Sequence, residues 1–157
     1  MDYLSPETNH LYFIEFFKKV IMKNIIINRL DYARITKCIK DAKNFRSINN
    51  KEAELLLQEL KSAKIVEPEA IPSNVVTMNS IVKISFTNTK KHIQFQIVYP
   101  DQSNIKENKI SIFSPIATAL IGYKVNDEIE WIVPAGLTKI KIEEIIYQPE
   151  ATGDYDL

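Results

Sequence analysis

The stretch VKISFTNTKKHIQFQI, residues 82–97, decides the architecture, because here the spacing of apolar residues becomes that of a strand. Val82, Ile84 and Phe86 alternate with Lys83 and Ser85, and Ile93, Phe95 and Ile97 alternate with His92, Gln94 and Gln96. Successive side chains of an extended backbone point to opposite faces, so each run offers one apolar and one polar face. The turn TNTKK at 87–91 joins the two as a hairpin.

Toward the carboxyl end the same period recurs. Ile110 and Ile112 follow the polar loop PDQSNIKENK and predict a short strand. Ile129, Trp131 and Val133 predict another, ended by Pro134, with Trp131 in the core. Ile140 and Ile142, then Ile145 and Tyr147, form a last strand whose phase breaks at Glu143–Glu144, the mark of a bulge. Between strands, SPIATALIG (114–122) reads as a short helix. Ser114 is placed as its N-cap, Pro115 as its first residue and Gly122 as its stop. The expectation is an α+β fold, an antiparallel sheet with one short helix.

Toward the amino end the period is helical. Ile35, Ile39 and Ala42 share a face and predict a helix over Asp31–Lys43, with Asp31 capping its first turn. Ala53, Leu56, Leu57, Leu60 and Ala63 make the stripe of a second helix, opened by Asn49 or Asn50, with Asn49 and Glu52 in capping-box spacing. A short polar turn between them predicts an antiparallel helical hairpin over 23–66, with Cys38 packed between the helices. Pro68 and Pro72 mark 67–74 as a linker, and 75–157 as the sheet domain. The ending Gln148–Leu157 is too polar for a core, and Tyr155 and Leu157 are its expected anchors.

The 157 residues suit one ordinary domain with a small appendage, and 45% apolar with 25% charged residues is globular. No run approaches the ~20 apolar residues of a membrane span, and one cysteine forms no internal disulfide, so a reducing cytoplasm is expected. The zero net charge hides an asymmetry: residues 23–64 carry ten Lys or Arg against five acids, while 127–157 carry two against eight. His10 and His92 have no acid, Ser or Cys partner nearby in sequence, and three glycines make no phosphate-cradling loop. No catalytic residue, cofactor or metal set is expected.

Five ordered blocks then carry a resemblance: VVTMNSIV (75–82), IVYP (97–100), ISIFSPIATALIG (110–122), VNDEIEW (125–131) and YQPEATGDYDL (147–157). They resemble the carboxyl-terminal domain shared by the Gre transcript-cleavage factors and by Rnk proteins, the regulators of nucleoside diphosphate kinase. The QPEA ending, the VTMNS opening and NIIINRLDYARI (24–35) resemble the Rnk branch in particular. The resemblance implies an FKBP-like sheet domain with an amino-terminal helical hairpin. It also implies binding to bacterial RNA polymerase at the rim of the secondary channel. In Gre factors the hairpin enters this pore, and two acids at its tip help hold a second metal ion.

The turn KNFRSINNKE (43–52) offers only Glu52, beside Lys51, where a metal site needs converging carboxylate oxygens. Asp41 and Glu52 read as helix-surface charges. The expected function is therefore a monomeric, non-catalytic elongation regulator that occupies the rim and competes with Gre-type factors. An FKBP-like prolyl isomerase and a Gre-like cleavage stimulator are the alternatives. Ser114, Pro115, Ile116 and Ala117 at the helix start, with Asp127 and Glu128, are the residues the resemblance places on the polymerase. Lys40, Lys43, Arg46 and Lys51 are candidates for non-specific nucleic-acid contact or a solvated face. Asn126 stands where the family has glycine, and tolerates positive φ. Residues 1–22 lie outside the resemblance: either translation starts at Met22, or Leu11–Ile21 is an amphipathic docking helix.

Overall fold

The alternating runs form the centre of a five-stranded sheet. The computed structural model describes residues 25–44, 50–133, 136–155 and 157, with the backbone alone at 50–52, 55, 59, 131–133 and 136. Residues 1–24 with His10, residues 45–49 with Arg46 and Asn49, and Pro134 lie outside it, as do the side chains of Lys51, Glu52 and Trp131.

Strand β1 (Ile26–Asn28) leads into helix α1 (Arg29–Asn44), followed by α2 (Asn50–Ser62) and β2 (Lys64–Val66), which pairs parallel with β1. Then come β3 (Ile81–Phe86), β4 (His92–Val98), β5 (Lys109–Ser111), α3 (Pro115–Leu120), β6 (Glu128–Val133) and β7 (Gly136–Tyr147). The sheet order is β5-β4-β3-β7-β6. Residues 67–74 contain a 3₁₀ turn at Pro68–Ala70 and bury Pro68 and Ile71.

The sheet is mixed, not antiparallel as expected. β3 pairs antiparallel with β4 and β7, and β6 with β7, but β5 lies parallel to β4, matching Ile97 to Ile110. Residues 99–108 between them carry two 3₁₀ turns and return the chain to its starting level, which reverses the pairing sense. The expected bulge is present: Lys83 faces Glu144 while Ile84 faces Ile142, leaving Glu143 extra. Glu143 accepts from the Ser85 hydroxyl at 2.6 Å, a bond that holds its carboxyl below the usual range. A second shift lies at Ile81/Val82.

One core joins the helices to the sheet. Ile35 and Ile39 of α1 and Ala53, Leu56 and Leu60 of α2 are buried in the same cluster as Val82, Ile84, Phe95, Ile97, Ile140 and Ile142. Each Val, Leu, Ile or Phe among them contributes roughly 1.5–3 kcal/mol when withdrawn from water, and Ala53 less. α3 adds Ala117, Ala119 and Leu120. Gly122 ends α3 with φ +82°, and its amide donates to Val76 O at 2.8 Å. Its carbonyl accepts from Ile26 N at 3.2 Å, so β1 lies directly against it.

A Cβ at Gly122 would sit 2.7 Å from the Ile25 Cβ and 3.1 Å from the Ile26 carbonyl oxygen. Gly122→Ala combines that overlap with left-handed backbone, and is expected to lower the urea unfolding free energy by about 2–4 kcal/mol. A loss below about 0.5 kcal/mol would show that β1 does not press on this turn.

Candidate functional site

A buried polar network lies between α1, the segment before β3 and the stretch after β7. Asn28 caps α1: its Oδ1 accepts from the Asp31 amide at 2.7 Å. The expected cap, Asp31, is two residues into the helix and turned inward, 2% exposed. Its Oδ2 accepts from the Met78 amide and its Oδ1 from the Tyr99 hydroxyl, both at 3.2 Å. Asn28 donates through Nδ2 to Glu150 Oε1 at 2.7 Å, and Thr77 donates through its hydroxyl to Glu150 Oε2 at 2.8 Å. The Ser80 hydroxyl lies 2.9 Å from Thr77 Oγ1 and accepts from the Thr77 amide. Three of the sequence blocks, NRLDY, VTMNS and QPEA, thus meet in one buried network.

Burial removes the water that would stabilise a charge on Asp31, and the neighbouring Glu150 charge adds to this, raising its pKa to about 7. The Met78 amide, the Tyr99 hydroxyl and Arg34 act in the opposite direction with smaller effect. Burial likewise pushes the Tyr99 hydroxyl upward, so it remains a donor.

The expected contact residues lie elsewhere. Ser114 does precede α3 with extended backbone, but its side chain makes no capping bond; its carbonyl accepts from the Thr118 amide at 3.0 Å. Pro115 at the first position, already lacking an N–H and fixed in φ, accounts for the helix start instead. Pro115 is exposed, Ser114 and Ile116 are half-buried, and Ala117 is buried. Asn126 takes the expected positive φ, 73°, and Asp127 Oδ2 accepts from the Lys124 amide at 2.9 Å. Asp127 therefore holds this turn, while Glu128 on β6 is exposed and lies 4.0 Å from Lys139.

On α1, Lys40 is exposed and Lys43 half-buried. Asp41 pairs with Lys37 at 3.0 Å on the helix surface, the role expected of it. Cys38 does not sit between the helices; it lines an open groove of about 470 Å³ with Arg34, Tyr99, Pro100, Asp101 and Phe113. Burial raises its thiol pKa, the opposite of an activated nucleophile. Among the described residues, no group of three or more His, Cys, Asp or Glu could hold a metal ion, and no helix is long and apolar enough to cross a membrane.

Strand order, the short α3 and the buried meeting of these sequence blocks define a class. Residues 71–147 match the family "Transcription elongation factor, GreA/GreB, C-term". The chain belongs to the GreA/GreB family, as a transcription-elongation-factor-like regulator. Within it, the chain is 36% identical over 132 residues to the "Regulator of nucleoside diphosphate kinase" of Escherichia coli (strain K12), covering 83% of this chain and 95% of the relative. It is 30% identical over 136 residues to "Transcription elongation factor GreA" of Helicobacter hepaticus (strain ATCC 51449 / 3B1), covering 83% of each. Among solved structures, "Prokaryotic transcription elongation factor GreA/GreB from Nitrosomonas europaea" shares 33% identity with a TM-score of 0.65, over 80% of this chain and 99% of that one.

Asn28, Thr77 and Glu150 were not singled out from the sequence. The available signal was a polar residue closing an apolar run, as Asn28 closes Ile25–Ile27.

Asp31 gives a pH test. A carboxyl whose folded pKa is raised stabilises the fold fully below its unfolded pKa, near 4, and loses that contribution as pH rises through about 7. Between pH 5 and 8 the parent should lose roughly 2–3 kcal/mol relative to Asp31→Asn in urea unfolding. Parallel profiles for the two proteins would show that Asp31 ionises normally.

Proposed function

We propose that this protein is a non-catalytic regulator that docks at the rim of the RNA polymerase secondary channel and competes there with Gre-type factors. The supporting observation is family membership combined with the composition of the turn KNFRSINNKE. The donor set of that turn does not suit a metal ion: it has one carboxylate, Glu52, among Lys43, Arg46 and Lys51. Asp41, the other nearby acid, is engaged with Lys37.

In this reading residues 23–66 form an antiparallel hairpin, 67–74 a linker and 75–157 an FKBP-like docking domain. The helices α1 and α2, 16 and 13 residues long, extend about 24 and 20 Å. The start of α3, with Pro115 outward and Ser114 and Ile116 beside it, meets the polymerase, and exposed Glu128 brings negative charge to basic rim residues. Asp127 shapes the turn that carries it. Lys40, Lys43, Arg46 and Lys51 supply positive charge for non-specific nucleic-acid contact. The protein works as a monomer in the bacterial cytoplasm, by exclusion rather than chemistry.

A reconstituted backtracked elongation complex tests this. Adding the protein at micromolar concentration should suppress Gre-stimulated RNA cleavage, and the protein alone should release no 3′ fragment. Ser114→Arg, at a side chain without a capping bond, should raise the half-inhibitory concentration at least tenfold while shifting stability by less than about 0.5 kcal/mol. Undiminished Gre cleavage at saturating protein, or cleavage by the protein itself, contradicts the proposal.

A further inference from the structure

The stretch Gln148–Leu157 is the sequence block that rim docking leaves without a task. It is polar, and its two large apolar side chains, expected as anchors, are exposed: Tyr155 at 38% and Leu157 at 52%. Ordering such a segment costs backbone entropy that apolar burial here does not offset. Its order comes from hydrogen bonds. Pro149 O accepts from the Thr152 amide at 3.1 Å and from the Asp154 amide at 2.8 Å, and Gly153 turns the chain at φ +81°. Asp154 Oδ2 accepts from the Tyr147 hydroxyl at 2.7 Å and the Thr152 hydroxyl at 2.8 Å. The result is a hydrogen-bonded hook with Glu150 on its buried side.

The hook spans two parts of the molecule. On the sheet side, Gln148 Nε2 donates to Pro72 O at 2.9 Å and Val75 O at 2.6 Å, and Thr77 donates to Glu150. On the helix side, Asn28 donates to Glu150, and the Arg34 guanidinium donates to the Leu157 backbone oxygen. Asn28 immediately precedes α1 and Arg34 lies in its second turn, so both ties hold the base of the helix. Farther along, the groove opens between Lys37–Ala42 and Tyr99–Gln102. Ile35 and Ile39 hold α1 in the common core through apolar contacts, and the polar ties at its base fix the angle at which it lies there. A tilt of about 15° there would carry its far end roughly 6 Å.

We propose that Gln148–Leu157 is a strap that pins the base of α1 to the sheet, with Glu150 as its positioning residue, and so sets the direction in which the helix pair projects. A residue that only finished β7 would bond to its own strand. Glu150 instead bonds outward, to Asn28 and Thr77, 122 and 73 residues away. Under the proposed rim docking, on which this consequence rests, the strap decides whether the arm points into the channel.

Spin labels test the strap in the full chain. Lys40→Cys on α1 and Lys139→Cys on β7 are both exposed, and Cys38→Ser removes the native thiol. Electron–electron double resonance should give a narrow distance distribution in this parent. Glu150→Ala should at least double its width, and Glu150→Gln, which keeps an acceptor for Asn28, should restore most of it. Hydrogen exchange in β3 and β7 should be unchanged in all three. An equally narrow distribution in Glu150→Ala overturns the strap, and so does broadening accompanied by faster exchange throughout the sheet. Neither readout involves polymerase, so failure here and failure of rim docking are told apart.

Discussion

The structure depends on polar side chains placed where an apolar core would otherwise be continuous. Asn28, Asp31, Thr77 and Glu150 are all withdrawn from water, beside a cluster of isoleucines, leucines and valines. Such groups cost several kcal/mol when buried without partners, and here they share them: Asn28 both accepts from the Asp31 amide and donates to Glu150. Apolar contacts tolerate sliding and rotation, whereas these bonds hold in one arrangement. The hydrophobic cluster brings the helices to the sheet, and the polar network selects how they sit.

That division of labour explains what was legible in the sequence. Alternation over 82–86 and 93–97, the helical stripes and the bulge near Glu143 all follow from which side chains must leave water. The direction of β5 does not. A three-residue strand has the same pattern whether it pairs parallel or antiparallel, and the sense is decided by how residues 99–108 fold back. Asp31 was misleading for a related reason: an acid near a helix start serves equally as a cap or as an inward ligand. Only the position of Met78 and Tyr99 distinguishes the two.

The candidate site was legible to a different degree. Pro115 and Gly122 bound α3 as their backbone preferences dictate, yet Ser114 contributes only backbone to the helix start. Asn126 takes its left-handed turn, and Asp127 proves to hold that turn together. The tail read as too polar for a core nonetheless buries Gln148 and Glu150: both Glu150 oxygens accept hydrogen bonds, while Gln148 is held through Nε2 alone and its buried Oε1 has no partner. Partnership across 70 or more residues of chain leaves no local pattern to read. Family membership and the network therefore support different statements: one concerns what the protein regulates, the other how its arm is held.

The network is tested most directly by carbon-13 NMR of the Asp31 side-chain carboxyl through a pH titration of the intact protein. A buried carboxyl facing Glu150, with Met78 and Tyr99 as donors, should titrate with a midpoint of about 7. A midpoint near 4, the range of a solvated aspartate, would contradict the buried network that holds the helices to the sheet.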